Sequence, residues 1–331
     1  MITTRLLLVR FSSIGDIVLT TPVLRCAKEQ WHGELEIHYL TKKPFAFLLQ
    51  NNPYVSRVHT IERSTNEIIE ELKAIQFDYL IDLHHNARSF FLKRKLKVLS
   101  FSFEKLNWEK WLLVRFGIDK LPRVHIVDRY LDTLKAFKIE NDHRGLDYFL
   151  PDEERIPISE LPSDFRNGFL AFVIGGQHRG KKLPPEKIAR ICEALNFPVV
   201  LLGGKEDEEA AAVVVQKGGT KVWSAVGKYS FHGSASLIDQ SLGVISHDTG
   251  LMHVAAALKK PVISIWGGTV PEFGMFPYLP GAPSAMVEAR HLSKRPCSKL
   301  GNHCKYKTCR CTEEIDEAEV VELALRAAET T

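Results

Sequence analysis

The sequence is short of most features that would place it at once. No apolar run in its 331 residues reaches the roughly 20 residues of a membrane-spanning helix. Its first residues lack the basic-then-apolar order of a secretion signal, because the apolar stretch after Arg5 is only a strand long. It completes neither a P-loop nor a G-x-G-x-x-G fingerprint, and it has no G-x-S-x-G elbow and no H-E-x-x-H. These absences argue against P-loop nucleotidases, dinucleotide dehydrogenases, serine hydrolases of the elbow type and zincins. There is no internal repeat and no low-complexity tract. The formal charge of +4 is too small to call for a nucleic-acid partner. The expectation is a cytoplasmic protein.

Cysteine is also scarce, at six residues. Cys26 and Cys192 fall in helical patterns and read as core. The other four crowd together as Cys297-x6-Cys304-x4-Cys309-x-Cys311, near His291 and His303. That spacing matches no recognised zinc site, and a cytoplasmic setting disfavours a disulfide, so reduced loop thiols are expected and no metal is assigned.

What the chain does have is apolar content and alternation. Hydrophobic residues make up 45% of it, enough for sizeable cores. Strand-like runs near 5–11, 35–40, 57–61, 78–83 and 97–101, then 168–174, 198–203, 221–224, 242–246 and 261–265, alternate with helical patterns. Repeated β-α-β order implies parallel sheets covered on both faces. The proline-bearing stretch from Pro151 to Pro162 suggests a division into 1–150 and 151–331. A last helical pattern, Asp316 to Ala328, could pack on either domain.

Two strand-to-helix junctions carry the chemistry. Leu242-Gly243-Val244-Ile245 reads as a buried strand, ended by Ser246-His247-Asp248-Thr249-Gly250 before the apolar helix Leu251 to Leu258. Asp248 or Thr249 can cap that helix, whose first N–H groups suit a phosphate. His253 lies about one turn on. At the other end, the strand Arg5 to Phe11 gives way to Ser12-Ser13-Ile14-Gly15-Asp16, placing a carboxylate at a strand's carboxyl end, where open α/β sheets bind ligands. Pro22 means that the helix after Asp16 kinks or restarts.

Three further loops follow strands. Gly175-Gly176-Gln177-His178-Arg179-Gly180-Lys181-Lys182 carries three cations and can close over a diphosphate, or is a surface loop. Gly203-Gly204-Lys205-Glu206-Asp207 offers acids to ribose hydroxyls, or to the helix dipole. Asp82 to Ser89 holds Asn86, a candidate cap, and Arg88, a candidate anion ligand. Between Arg88 and Arg123 there are ten Lys or Arg against three acids, interleaved with Phe90, Phe91, Phe101, Phe103, Trp108, Trp111 and Phe116. Either this is a solvated face over core aromatics, or it meets an anionic acceptor or an anionic membrane surface.

The residues Ser13-Ile14-Gly15-Asp16-Ile17-Val18-Leu19-Thr20-Thr21-Pro22 and Asp248-Thr249-Gly250-Leu251-Met252-His253-Val254-Ala255-Ala256-Ala257 resemble glycosyltransferase family 9, the heptosyltransferases of the lipopolysaccharide inner core. Asn52-Pro53-Tyr54-Val55 and Val127-Asp128-Arg129-Tyr130-Leu131 add support. The resemblance runs over nearly the whole chain. It implies a GT-B architecture, two Rossmann-like domains with parallel sheets facing across a cleft, the first binding the acceptor and the second the nucleotide sugar. It also implies inverting transfer, with Asp16 matching the general base and Lys181 a lysine at the donor phosphates. Asp207, Asp248, Thr249, Gly250, Leu251 and His253 match donor-binding positions, and Ser13, Gly15, Asn86 and Arg88 are expected to line the acceptor side. The implied partners are an ADP-heptose donor and a lipid-linked glycan acceptor, with peripheral contact at the inner membrane left open. No cofactor or metal is called for, since Lys181 and the helix end can balance the departing diphosphate. One departure is Leu183, where the family often has tryptophan, which leaves the donor sugar open. Rival readings are a transferase of UDP- or GDP-sugars, a non-catalytic binding module of the same fold and a nucleotide-sugar epimerase.

Overall fold

The computed structural model describes Thr3–Tyr306 and Thr308–Thr330. The chain forms two compact units: residues up to Lys105 with Val124–Phe149, and Leu106–Arg123 with Leu150 onward. The change of unit at Leu150 lies next to the proposed division. The excursion of Leu106–Arg123 into the second unit was not foreseen.

The first unit runs β1 (Thr3–Val9), α1 (Ile14–Val18), α2 (Thr21–Gln30), β2 (Glu34–Lys42), β3 (Arg57–Ile61), α3 (Ile69–Ile75), β4 (Tyr79–Asp82), α4 (Ala87–Leu96) and β5 (Leu99–Ser102). After the segment bearing α5 (Asn107–Phe116), which belongs to the other unit, α6 (Ile126–Leu131) returns to it. All its strands are parallel, in the order β3-β2-β1-β4-β5. Leu6, Leu7, Leu8 and Val9 of the central strand are fully buried, as a parallel strand covered on both faces must be. Pro22 lies in the first turn of α2, so the helix restarts there. The helical pattern from Val127 splits into α6 and a tighter 3-10 turn, Asp132–Phe137.

The second unit adds β6 (Leu170–Val173), α7 (Pro185–Leu195), β7 (Val199–Leu202), α8 (Glu208–Lys217), β8 (Val222–Ser224), α9 (Phe231–Gln240), β9 (Gly243–His247), α10 (Gly250–Ala257), β10 (Pro261–Trp266), β11 (Gly281–Glu288), α11 (Arg310–Glu313) and α12 (Glu317–Thr330). Its order is β11-β10-β9-β6-β7-β8, again parallel. The last helix packs on its own unit. Val320, Ala324 and Ala327, spaced to share one face, are fully buried in the second core, and the space a Cβ would take on Gly243 lies 3.2 Å from the Ala327 methyl. Among the described residues no helix is long and apolar enough to cross a membrane.

Each strand order contains one place where the chain reverses its direction of growth across the sheet. In the first unit it lies between β1 and β4, and in the second between β6 and β9. Crevices outside the carboxyl ends of such strand pairs are the binding places of open α/β sheets. The loops 10–16, 83–86, 174–184 and 248–249 all leave from these ends.

Candidate functional site

At the first reversal, Val9 is in register with Asp82, so the chain leaves β1 and β4 side by side. The buried Asp82 shapes the β4 turn: its Oδ1 accepts the N–H of His84 at 3.1 Å and of His85 at 2.7 Å, and Lys93 Nζ meets Oδ2 at 2.9 Å. Arg10, immediately after β1, is buried and held on every side. Its Nε donates to Ser12 O at 2.8 Å, and its Nη1 to Leu83 O at 2.5 Å and to the Tyr130 hydroxyl at 3.0 Å. Its Nη2 meets Asp16 Oδ1 at 2.5 Å. The second carboxylate oxygen, Oδ2, accepts from Ser13 N at 3.0 Å and Ser13 Oγ at 2.8 Å. Burial pushes the Asp16 carboxyl up, but the Arg10 charge and the Ser13 hydrogen bonds win and hold it below its ordinary value. Asp16 is thus ionised and fixed in direction. His84 lies edge-on to Phe11 at 5.0 Å. Burial, then the Arg10 and Lys105 charges, lower its pKa to about 4, which keeps the ring neutral.

The other acceptor-side candidates have structural uses. Gly15 is buried in α1. The Asn86 side chain caps α4, accepting from Ser89 N at 3.0 Å. The Arg88 guanidinium lies 5.4 Å from the centre of the Phe11 ring, half-buried over it. Ser13 and Arg88 are therefore gathered around Asp16 and Phe11, whereas Asn86 is committed to its helix.

At the second reversal, Val173 is in register with Leu202 and Ser246, which lines up three loop starts along one edge. Two lysines from the β6 loop each meet a carboxylate from another loop. Lys181 Nζ sits 2.7 Å from Asp248 Oδ2 and donates to Asp248 O at 3.2 Å. Lys182 Nζ donates to Asp207 Oδ1 at 2.9 Å. Asp248 Oδ2 also accepts the Thr269 hydroxyl at 3.0 Å, and Asp207 Oδ2 accepts Gly204 N at 3.1 Å. The glycines of this edge answer to that carboxylate. A Cβ on Gly175 would lie 2.7 Å from Asp207 Oδ2, and one on Gly203 2.9 Å from it. Thr249 occupies the N-cap position of α10 with no side-chain cap bond, so first-turn N–H groups stay available to an anion.

The loop is tied down from behind. His247 Nε2 accepts Leu183 N at 3.0 Å, which requires a neutral ring, and burial lowers the His247 pKa to about 4. Gly180 O accepts Gly268 N at 2.6 Å. Arg295 binds the carbonyls of Trp266, Gly267 and Thr269 at 2.9, 2.9 and 3.1 Å and pairs with Glu288 at 2.9 Å, so it braces the turn facing the lysines. Behind that turn, Cys297 and Cys311 Sγ lie 3.3 Å apart as free thiols.

Lys181 is thus brought to Asp248, next to Thr249 and Gly250 at the start of α10. His253 and Leu251 are buried, which makes them a floor under α10. Asp207 is only 1% exposed and is paired with Lys182. Arg10, Arg295 and the pairing of Lys182 with Asp207 escaped the sequence reading. Arg10 was signalled by being a lone cation at the end of an apolar strand. The Lys182 pairing and the Arg295 brace join loops far apart in sequence and left no local signal.

The family model of glycosyltransferase family 9 (heptosyltransferase) matches residues 65–307. The protein belongs to glycosyltransferase family 9. Among this family 9 chain's relatives, lipopolysaccharide heptosyltransferase 1 of Campylobacter coli is 24% identical over 80% of this chain and 84% of its own. The enzyme of that name from Pseudomonas aeruginosa is 26% identical over 81% and 80%. A family 9 glycosyltransferase from Veillonella parvula superposes with a TM-score of 0.78 over 99% of this chain and 98% of its own, at 23% identity. E. coli ADP-heptose lps heptosyltransferase II does so with 0.72 over 99% of both, at 18% identity. These likenesses give the fold as two Rossmann-like α/β units of the GT-B class, and the family makes the protein a glycosyltransferase.

Proposed function

We propose that this glycosyltransferase is an inverting heptosyltransferase, moving heptose from ADP-heptose onto a lipopolysaccharide inner core or a related lipid-linked surface glycan. The observation that carries the reading is the pairing of Lys181 with Asp248 beside the open end of α10. A lysine matched by one carboxylate next to unpaired helix N–H groups is ready to receive a diphosphate, because the incoming anion replaces the carboxylate as its partner. The choice of ADP-heptose follows the relatives, among them an E. coli heptosyltransferase, WaaC, whose structure holds ADP and which superposes over 94% of this chain with a TM-score of 0.63.

In the reaction an acceptor hydroxyl oxygen forms a bond to the anomeric carbon as the bond from that carbon to the diphosphate oxygen breaks. The hydroxyl proton passes to Asp16, and ADP leaves with the electron pair. Attack on the face opposite the leaving group inverts the configuration. An Asp16 stabilised by Arg10 is a weak base at rest, so it takes the proton late, after attack has made the hydroxyl acidic. Lys181 and the α10 end balance the charge gathering on the diphosphate. Asp207 holds Lys182 at the edge of the same loop.

Thermal-shift titration with ADP-heptose, UDP-sugars and GDP-sugars tests the donor, since a ligand that binds only the folded state raises its midpoint by an amount that grows with the logarithm of its concentration over Kd. ADP-heptose should give the largest shift and should then support extension of a heptose-free core. A larger shift with a UDP- or GDP-sugar would replace the donor. A shift without any transfer would favour a binding module.

A further inference from the structure

The segment Leu106–Arg123 belongs to the second unit, and it carries an exposed aromatic surface. One side of α5 faces inward. Leu106 and Leu113, joined by Leu121, pack on Val270 and Phe273, and the Lys110 ammonium lies 5.6 Å from the centre of the Phe273 ring. The helix is latched from outside by Lys299, whose Nζ donates to Asn107 Oδ1 at 2.5 Å, and by Lys305, whose Nζ donates to Val114 O. The inward spacing of 106, 110 and 113 leaves 108, 111 and 115 on the other side. There Trp108 is 64% exposed, Trp111 46% and Phe116 58%. The two indoles stack with centroids 4.8 Å apart, and Phe116 stands edge-on to Trp111 at 5.2 Å. Three rings thus form one continuous apolar plate in water, extended past the helix end by Ile118, itself 47% exposed.

Cations flank the plate. Arg115 and Lys120 are exposed, and among the described residues neither pairs with an acid, whereas Arg123 is matched by Asp119 at 2.6 Å. Over 105–123 the chain has five Lys or Arg against Glu109 and Asp119. Tryptophan bodies sit well at the level of lipid headgroups, where the ring is buried and its N–H is wetted. Cations beside them meet the negative surface potential of an anionic leaflet. A helix of ten residues is too short to span a bilayer and is suited to lie in its interface. A protein partner would fit an apolar plate as well, but it would not call for Arg115 and Lys120, two exposed cations without acidic partners among the described residues, beside the tryptophans.

We infer that the outer face of α5, with Trp108, Trp111 and Phe116 inserted and Arg115 and Lys120 at the headgroups, is a docking surface for an anionic phospholipid bilayer. The vesicle-binding test needs neither donor nor acceptor. The full chain is sedimented with vesicles of phosphatidylcholine alone and with vesicles containing about one-third phosphatidylglycerol, at low and high salt. Binding to the anionic vesicles should exceed that to neutral ones by about 10-fold, should weaken with salt and should shift tryptophan emission to the blue. W108S/W111S should lose about 10-fold in vesicle affinity, and R115E should lose the preference for anionic lipid. Both variants should keep the wild-type melting midpoint and donor-induced shift, because the altered side chains are exposed. Equal vesicle binding by wild type and W108S/W111S would overturn the inference, as would no binding to anionic vesicles. Concentration-dependent dimerisation abolished by W108S/W111S, without vesicle binding, would assign the plate to a second copy instead.

Discussion

The two strand reversals hold their charges in different ways. In the first unit one carboxylate, Asp16, faces one guanidinium that is fastened at four places: Ser12 O, Leu83 O, the Tyr130 hydroxyl and Asp16 itself. In the second, two ammonium groups on flexible stems are each matched to a carboxylate, Lys181 to Asp248 and Lys182 to Asp207. A planar arginine fork in a buried frame keeps one geometry, while a lysine can exchange one anion for another at little cost. The lesson is that the group proposed to handle a proton is fixed in place, and the groups proposed to handle a ligand are left able to change partner. A direct displacement needs both, since the base must be aimed whereas the cations must follow the diphosphate.

The hardest way to break this comparison is to remove the fixed side. Asp16→Ala should lower kcat by about 10²-fold or more while leaving the ADP-induced thermal shift intact. Steady-state transfer and thermal shift, measured on the same preparation, check it. Near-normal transfer would take the base assignment away from Asp16 and leave the Arg10 frame a purely structural feature.

The exchangeable side should respond differently. Lys181→Ala should weaken donor binding by about 10-fold, on the scale of one lost charge-assisted hydrogen bond, and lower kcat as well. Lys182→Ala should act more weakly, and chiefly on affinity, because Lys182 is held by the buried Asp207 whereas Lys181 is paired with Asp248 beside α10. Donor titrations of the two variants side by side decide it. Equal effects would mean that both lysines reach the phosphates, and unchanged affinity in Lys181→Ala would remove the loop from donor binding.

Much of this was legible in the chain. The apolar runs that became β1, β4, β6 and β9 were readable because parallel strands buried on both faces are nearly continuous apolar stretches. Asp16 and Asp248 could be placed at strand ends because each follows such a run directly. What stayed hidden depended on long-range packing. The edge strand β11, with Gly281, Pro283 and Ser284 and mostly exposed side chains, has little of the composition of a strand and forms because β10 offers it a free edge. The transfer of α5 to the second unit depends on Val270 and Phe273, some 150 residues away in sequence. The surroundings of Asp207 were hidden for the same reason: its burial and its Lys182 partner exist only once the loops are folded together.

The smallest expected effect concerns how the lysine loop is suspended. His247 can accept the Leu183 N–H only while its ring is neutral, and its folded pKa of about 4 lies below the ordinary value of 6.5. Between those two values the unfolded chain binds a proton that the folded chain refuses. The stability contributed by His247 is therefore complete above about pH 6.5 and drains away as the pH falls toward 4, at about 1.4 kcal/mol per pH unit for one proton. His59 and His84, also lowered to about 4, add to the same acid slope, so the wild-type slope alone assigns nothing to one ring. His247→Gln keeps a hydrogen-bond acceptor and removes the titration. It should cost about 1 kcal/mol at pH 7.5, and its unfolding free energy should fall by about one proton's worth less on acidification. Urea melts of both proteins at half-unit steps between pH 7.5 and 4.5 measure the difference. Parallel slopes would mean that His247 is not the neutral hinge of the lysine loop, and the contrast between a fixed first site and a suspended second one would then rest on the lysine pairs alone.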